Sequence, residues 1–244
     1  MAQRLDKLIA SQGTLSRSET VRLIRAGKVT VDGVVCRDAA CKVEETCAVT
    51  VNGEPLSYQR FVYLMMNKPA GILCVSRDPK VPTVLDLLPP ALRRKGLFPA
   101  GRLDKDTVGL VLLTDDGDFA HRLLAPKNDI VKRYQVRLDG PLTEEHCRRF
   151  AEGIVLADGT LCRPATLKIL EDSEQPLAEI GITEGRYHQI KRMFGTVDRG
   201  VVWLKRLSMG PLELDPMLNE GETRPITEKE WAELAKATNF VQHI

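Results

Sequence analysis

A chain of 244 residues, 43% apolar and 28% charged, has the composition of a globular protein and not of a disordered, collagen-like or coiled-coil one; at roughly 150 residues per domain it holds one or two domains. Its 35 Lys and Arg nearly cancel 33 Asp and Glu, so net charge identifies no partner and only the local distribution of charge can. Six cysteines without a C-x-x-C pair or a histidine at zinc-finger spacing argue against a structural metal and for reduced thiols in the cytoplasm, while the lack of an apolar signal core after Met1 and of any membrane-length apolar run argues against secretion and membrane insertion.

Leu5, Leu8 and Ile9 recur at helical spacing, which predicts a short amphipathic helix over 4–11 that ends before Gly13. Ser16-Arg17-Ser18-Glu19 has capping-box spacing and opens a second helix carrying Val21 and Ile24, with Gly27 as its stop. The period then changes: Val29–Val35 and Val49–Leu56 are extended runs broken by Asp32-Gly33 and Asn52-Gly53, both hairpin turn signals. The first 28 residues hold Arg4, Lys7, Arg17, Arg22, Arg25 and Lys28 against only Asp6 and Glu19. Two basic helices beside a turn-rich sheet suit RNA phosphates, although charge alone favours a solvated polar face. The runs Arg4–Ala10, Leu15–Glu19, Ile24–Gly33 and Val51–Gly53 resemble the S4 RNA-binding domain, which would span residues 1–58. That resemblance implies RNA contacts from Arg4, Ser16, Arg17, Arg25 and Lys28.

The larger part, 59–244, begins with the apolar strand Tyr63–Met66 running into Pro69-Ala70-Gly71, and a basic stretch, Arg93-Arg94-Lys95, follows Pro89-Pro90. Next, Gly101–Thr107 is polar and turn-prone, and Val108–Leu113 is a continuous apolar run: an exposed loop feeding a buried strand. Alone, Asp104 reads as a turn residue. Lys132–Leu138 alternates, so Tyr134 faces the core with Val136 and Leu138 and by itself is an ordinary core tyrosine. The segment 183–194 turns through Gly185 into a helix whose Ile190, Met193, Phe194 and Val197 form one stripe, with Lys191 and Arg192 off its centre. Helices are also predicted over Thr143–Gly153 and from the Thr227–Glu230 capping box, with Trp231 and Leu234 inward.

Gly101-Arg102-Leu103-Asp104 with Thr107 and Gly109, Lys132-Arg133-Tyr134, and Glu184–Phe194 together resemble, in order and spacing, the pseudouridine synthases of the RsuA type, which commonly carry an S4 domain ahead of the catalytic one. The resemblance implies an α+β catalytic domain with a mainly antiparallel sheet and a central cleft, and conversion of a uridine in RNA to pseudouridine without metal or cofactor. Asp104 corresponds to the family's catalytic aspartate and Tyr134 to the tyrosine that packs on the target base; Lys191 or Arg192 supplies the cation beside Asp104. Arg102 and Arg186 are expected at the RNA, Arg102 filling the gap left by a flipped nucleotide. Tyr187-His188-Gln189 looks like the small-subunit branch, so the expected partner is ribosomal RNA in a partly assembled small subunit, met by a cytoplasmic monomer. A large-subunit RNA target, a non-catalytic ribosome-assembly factor and an unrelated hydrolase using Asp104 are the competing readings.

Overall fold

Capping boxes and Asx-Gly turns set the ends of the early elements in the computed structural model, which describes residues 2–13 and 15–240. After β1 (Gln3–Arg4) come α1 (Leu5–Ser11) and α2 (Arg17–Arg25). Ser16 caps α2: its hydroxyl accepts from the Glu19 backbone N–H at 3.3 Å, and the Glu19 carboxylate accepts from the Ser16 N–H at 2.8 Å. The strands are β2 (Val29–Val31), β3 (Val34–Val35), β4 (Lys42–Val43), β5 (Val49–Val51) and β6 (Glu54–Pro55). Asp32 and Gly33 have φ of 49° and 80°, and Asn52 and Gly53 of 53° and 87°, so both pairs make left-handed two-residue turns, joining β2 to β3 and β5 to β6. Leu5, Leu8, Ile9, Ile24, Val29, Val43 and Val49 form the buried core, each side chain contributing about 1.5–3 kcal/mol of apolar burial.

The backbone divides into two units, Met1–Val62 with Leu88–Leu97, and Tyr63–Leu87 with Phe98–Ile244. The sequence-based division at 58/59 places 88–97 in the larger domain, whereas the segment packs with the smaller: the Arg94 guanidinium donates to the Gln59 and Arg60 carbonyls at 2.7 and 2.8 Å. Pro89-Pro90 marks a break in the chain but carries no sign of which core the segment joins.

The second unit contains β7 (Tyr63–Lys68), β8 (Phe98–Pro99), β9 (Val108–Thr114), α3 (Gly117–Leu124), β10 (Lys132–Leu138), α4 (Glu144–Glu152), β11 (Thr166–Glu171), β12 (Leu177–Ile182), α5 (Gln189–Gly195), β13 (Val201–Met209), β14 (Leu212–Glu213), β15 (Thr223–Pro225) and α6 (Glu228–Ala237). Among the described residues its sheet runs β11-β12-β10-β13-β9-β7-β15, with β14 on β13 and β8 on β9. The pairing is antiparallel except where β13 meets β9, so the unit is α+β with a mainly antiparallel sheet. At the parallel contact Arg206 lies in register with Gly109, whose φ is +98°, and a Cβ there would sit 2.3 Å from the Arg206 carbonyl oxygen. Only glycine fits that approach. A core of Met65, Leu110, Leu112, Phe119, Leu123, Met209 and Leu234 lies under β7 and β9, closed by Tyr63 stacked on Trp231 at 4.0 Å. Among the described residues no helix is long and apolar enough to cross a membrane.

Candidate active site

The loop entering β9, strands β10 and β13, and the turn entering α5 enclose a cavity of about 680 Å³, lined by Arg102, Asp104, Tyr134, Arg206, His188 and Lys191 among others. Asp104 sits in a tight turn, its carbonyl accepting from the Thr107 N–H at 3.1 Å. Behind the loop is Lys68, whose ammonium is fully buried and donates to the carbonyls of Pro69, Lys105 and Thr107 at 3.0, 3.1 and 2.8 Å. Burial pushes the Lys68 pKa down, and the three carbonyls take the place of water. The loop backbone is thereby tied to the strand before it.

The Asp104 side chain is a quarter exposed. One carboxylate oxygen is 3.5 Å from His188 Nε2 and the other 3.6 Å from Lys191 Nζ, distances of electrostatic contact rather than hydrogen bonding. Lys191 spends its short hydrogen bonds on Asp106, donating to both carboxylate oxygens at 2.7 Å, and this bond holds Asp106 below the usual carboxylate range. Arg192, one residue on, pairs with Asp158 instead. The structure therefore brings Lys191 to Asp104 and leaves Arg192 outside the pair. Tyr134 is buried on β10, opposite Ile180 on β12 and Arg206 on β13, and lines the cavity.

The turn before α5 is organised by Glu184. Its buried carboxylate accepts from the Gln189 side-chain amide at 2.8 Å, the Arg163 backbone N–H at 3.0 Å and the Arg186 guanidinium at 3.0 Å. Arg186 is thus partly committed to its own turn. His188 enters the helix at φ 48°, a left-handed conformation uncommon outside glycine, with its ring stacked on the exposed Tyr187 at 3.8 Å. Arg102 is exposed at the cavity and makes no hydrogen bond or ion pair among the described residues.

In the first unit the basic residues divide. Arg4 and Arg17 both pair with the buried Asp6, at 2.9 and 3.2 Å, and hold its carboxyl at about 2, with Arg4 the larger cause. The Ser16 hydroxyl is occupied in the helix cap. Arg25 and Lys28 are exposed, and among the described residues their side chains have no hydrogen-bonding or ionic partner.

Sequence reasoning left His188, Asp106, Lys68 and the buried cations Lys132 and Arg206 without roles. A signal existed for Lys132, which is in phase with Tyr134 and Val136 and therefore on the apolar side of an alternating strand. For His188 and Lys68 there was none, since their positions depend on a backbone conformation and on a loop distant in sequence.

A cavity lined by basic residues, with one carboxylate and one buried tyrosine, has the makings of an enzyme site for an anionic substrate. The chain belongs to the RNA pseudouridylate synthase family, whose model matches residues 62–196, and an S4 domain matches residues 3–46. It is 47% identical over 229 residues to the uncharacterized RNA pseudouridine synthase YtzG of Bacillus subtilis, spanning 93% of this chain and 96% of that one. Ribosomal small subunit pseudouridine synthase A of Salmonella typhimurium is 45% identical over 231 residues, and that of Escherichia coli 44%, each match covering 94% of this chain and 98% of the relative. A crystal structure of a pseudouridylate synthase superposes with a TM-score of 0.66 at 38% identity, over 95% of this chain and 99% of that one. The enzyme is an isomerase of uridine in RNA.

Proposed function

We propose that this enzyme isomerises one uridine of small-subunit ribosomal RNA, with Asp104 as the catalytic carboxylate, Lys191 as its cation and Tyr134 as the stacking platform for the base. The observation that carries the chemistry is the carboxylate of Asp104, partly exposed in the cavity, flanked by two basic side chains at 3.5 and 3.6 Å and hydrogen-bonded tightly by neither. A carboxylate so placed keeps its oxygens available to a substrate. The target follows from the small-subunit synthases that match nearly end to end.

A uridine must leave its stack to reach the cavity, which costs a few kcal/mol and is cheapest in an unpaired loop. Tyr134 then holds the base, and the exposed Arg102 is suited to the gap and phosphates left behind, with Arg186 contributing positive charge at the rim. Asp104 either forms a bond to C1′ or takes the C2′ proton; in both cases the N1–C1′ bond breaks and its electron pair leaves with the base. The base turns, C5 bonds to C1′, and the Asp104–C1′ bond breaks or the C2′ proton returns. Loss of the C5 proton and gain of one at N1 complete an isomerisation with no net redox change. Lys191 places positive charge beside the Asp104 carboxylate and, through Asp106, keeps its own position. Arg192 serves the RNA or the hairpin that carries Asp158 rather than the reacting atoms.

Because a uridine packed inside a finished subunit cannot be flipped out, partly assembled particles in the cytoplasm are the expected substrate. Pseudouridine mapping of both ribosomal RNAs, in cells with and without the protein, tests the reading. We expect one small-subunit site to disappear; loss of a large-subunit site with the small subunit unchanged would overturn the target and leave the enzyme class standing.

A further inference from the structure

The cavity has a second charged end. On β10, Lys132 shares a face with Tyr134, and on β13 Arg206 lies directly opposite Tyr134; both line the cavity and are 6% and 2% exposed. The Lys132 ammonium donates only to carbonyls, of Ile130 at 3.1 Å and Thr183 at 3.4 Å. The Arg206 guanidinium donates through Nε to the Leu110 carbonyl at 2.7 Å, and its buried Nη2 group has no hydrogen-bond partner. Among the described residues neither cation is hydrogen-bonded to a carboxylate. Burial, and then repulsion from Arg206, push the Lys132 pKa down, with Glu184 opposing both.

Buried charges are normally paired, because an unpaired one costs several kcal/mol. Two adjacent buried cations, one with an unmet donor, weaken the free protein, and hydrophobic residues of similar volume would pack the same space. Such an arrangement suits an anion that arrives from outside. We propose that Lys132 and Arg206 are catalytic residues of the base end, stabilising the negative charge that develops on the uracil as the N1–C1′ bond breaks. This rests on the assignment of Tyr134 as the base platform.

The electron pair of the broken bond goes to N1 and its charge is shared with the O2 and O4 carbonyl oxygens. That charge exists whether Asp104 attacks C1′ or removes the C2′ proton, so the role is independent of the route. Positive groups fixed before the reaction and themselves buried from water act on developing charge without reorganising. The unmet Nη2 donor gives Arg206 a hydrogen bond for a pyrimidine oxygen that the free protein cannot supply. The site is then bipolar: Lys191 serves the carboxylate at the sugar, and Lys132 and Arg206 serve the leaving base.

A leaving-group experiment tests this. Small-subunit ribosomal RNA is transcribed with uridine or with 5-fluorouridine, whose fluorine withdraws electrons and stabilises the departing anion by itself, and each transcript is assembled with small-subunit proteins into partial particles. Glycosidic cleavage is followed in single turnovers with excess wild-type, Arg206→Gln, Arg206→Lys and Lys132→Met enzyme. Arg206→Gln should slow cleavage of the uridine RNA about 100-fold and of the fluorinated RNA about 10-fold or less, with RNA affinity within a few-fold of wild type. Lys132→Met should show the same narrowing, and Arg206→Lys, which keeps the charge, should stay within about 10-fold on both RNAs. Equal losses on the two RNAs, or wild-type rates in the neutral variants, would overturn the proposal. If Arg206→Gln does not fold, Lys132→Met decides by the same ratio. Wild-type enzyme inactive on both RNAs would instead refute the substrate reading.

Discussion

Asp104 and Asp106, two residues apart in one turn, are treated differently by the same ammonium. Lys191 makes two 2.7 Å bonds to Asp106 and stands 3.6 Å from Asp104, so the nearer carboxylate fixes the cation and the farther one remains open to substrate. Neutralising Asp104 while keeping its shape should remove chemistry and not binding. Lys191→Met is expected to slow single-turnover isomerisation by two to three orders of magnitude, the range seen when one preorganised charged group is removed from a site. Arg192→Ala should stay within about 5-fold, because its guanidinium is engaged with Asp158. Rates measured with saturating enzyme, beside RNA affinities for both variants, check the assignment, and a larger loss in Arg192→Ala than in Lys191→Met would reverse it. Lysine suits this place for a physical reason: a compact ammonium reaches one carboxylate closely and a second at a distance, whereas the planar fork of arginine favours bidentate capture of one.

Two backbone features place these side chains, and they differ in what they cost to change. Gly109 lets β9 approach β13, with a Cβ position 2.3 Å from the Arg206 carbonyl oxygen and 2.9 Å from its nitrogen, at φ +98°. Gly71 has φ +84° but nothing within 4 Å of its Cβ position. Gly71→Ala therefore meets only the left-handed penalty of about 1 kcal/mol, a fall in melting temperature of about 2–4 °C. Gly109→Ala adds a backbone clash in the sheet and should cost about 3 kcal/mol or more, about 6–12 °C, and reduce turnover by about 10-fold because the Asp104 loop moves with β9. Calorimetry of the two variants measures the contrast; similar shifts would show that the β9–β13 contact can relax. These elements also mark what is legible in the sequence. The caps at Ser16 and Thr227, the two Asx-Gly turns, the alternation over Lys132–Leu138 and the stripe from Ile190 to Val197 are local rules, and the structure shows each of them. The cation beside Asp104 was narrowed to Lys191 or Arg192 but not chosen, since one residue along a helix turns a side chain by about 100° and only packing sets the phase. The burial of Lys68 and Arg206 and the parallel β9–β13 contact depend on contacts between distant segments, which no local pattern encodes.

At the scale of the whole chain, the two units divide the work by the reach of their forces. Phosphate contacts depend on charge and not on sequence, so the first unit is expected to supply affinity, while choice of a uridine requires unpaired bases and RNA shape at the cavity. Deleting the first unit would be an unsound test, because 88–97 pack with it and would lose their partner. The exposed Arg25 and Lys28 offer a cleaner one: their side chains have no ionic partner among the described residues, unlike Arg4 and Arg17, which are held by Asp6. Each phosphate neutralised by a protein cation contributes about 0.7 to 0.9 to the slope of log K against log salt, for single-stranded and duplex nucleic acid respectively. Arg25→Ala with Lys28→Ala should therefore reduce that slope by about 1.4–1.8 and weaken binding most at low salt. The single-turnover rate on RNA already bound should stay within about 2-fold, since neither residue lies in the unit that holds Asp104. Arg4→Ala and Arg17→Ala should act otherwise, leaving Asp6 buried with one cation fewer and lowering stability, with a smaller change in salt slope than their charge implies. Binding titrations across a salt series, paired with melting curves, separate the two classes of arginine. An unchanged slope in the Arg25, Lys28 double variant would remove the end of α2 and the turn after it from the RNA interface.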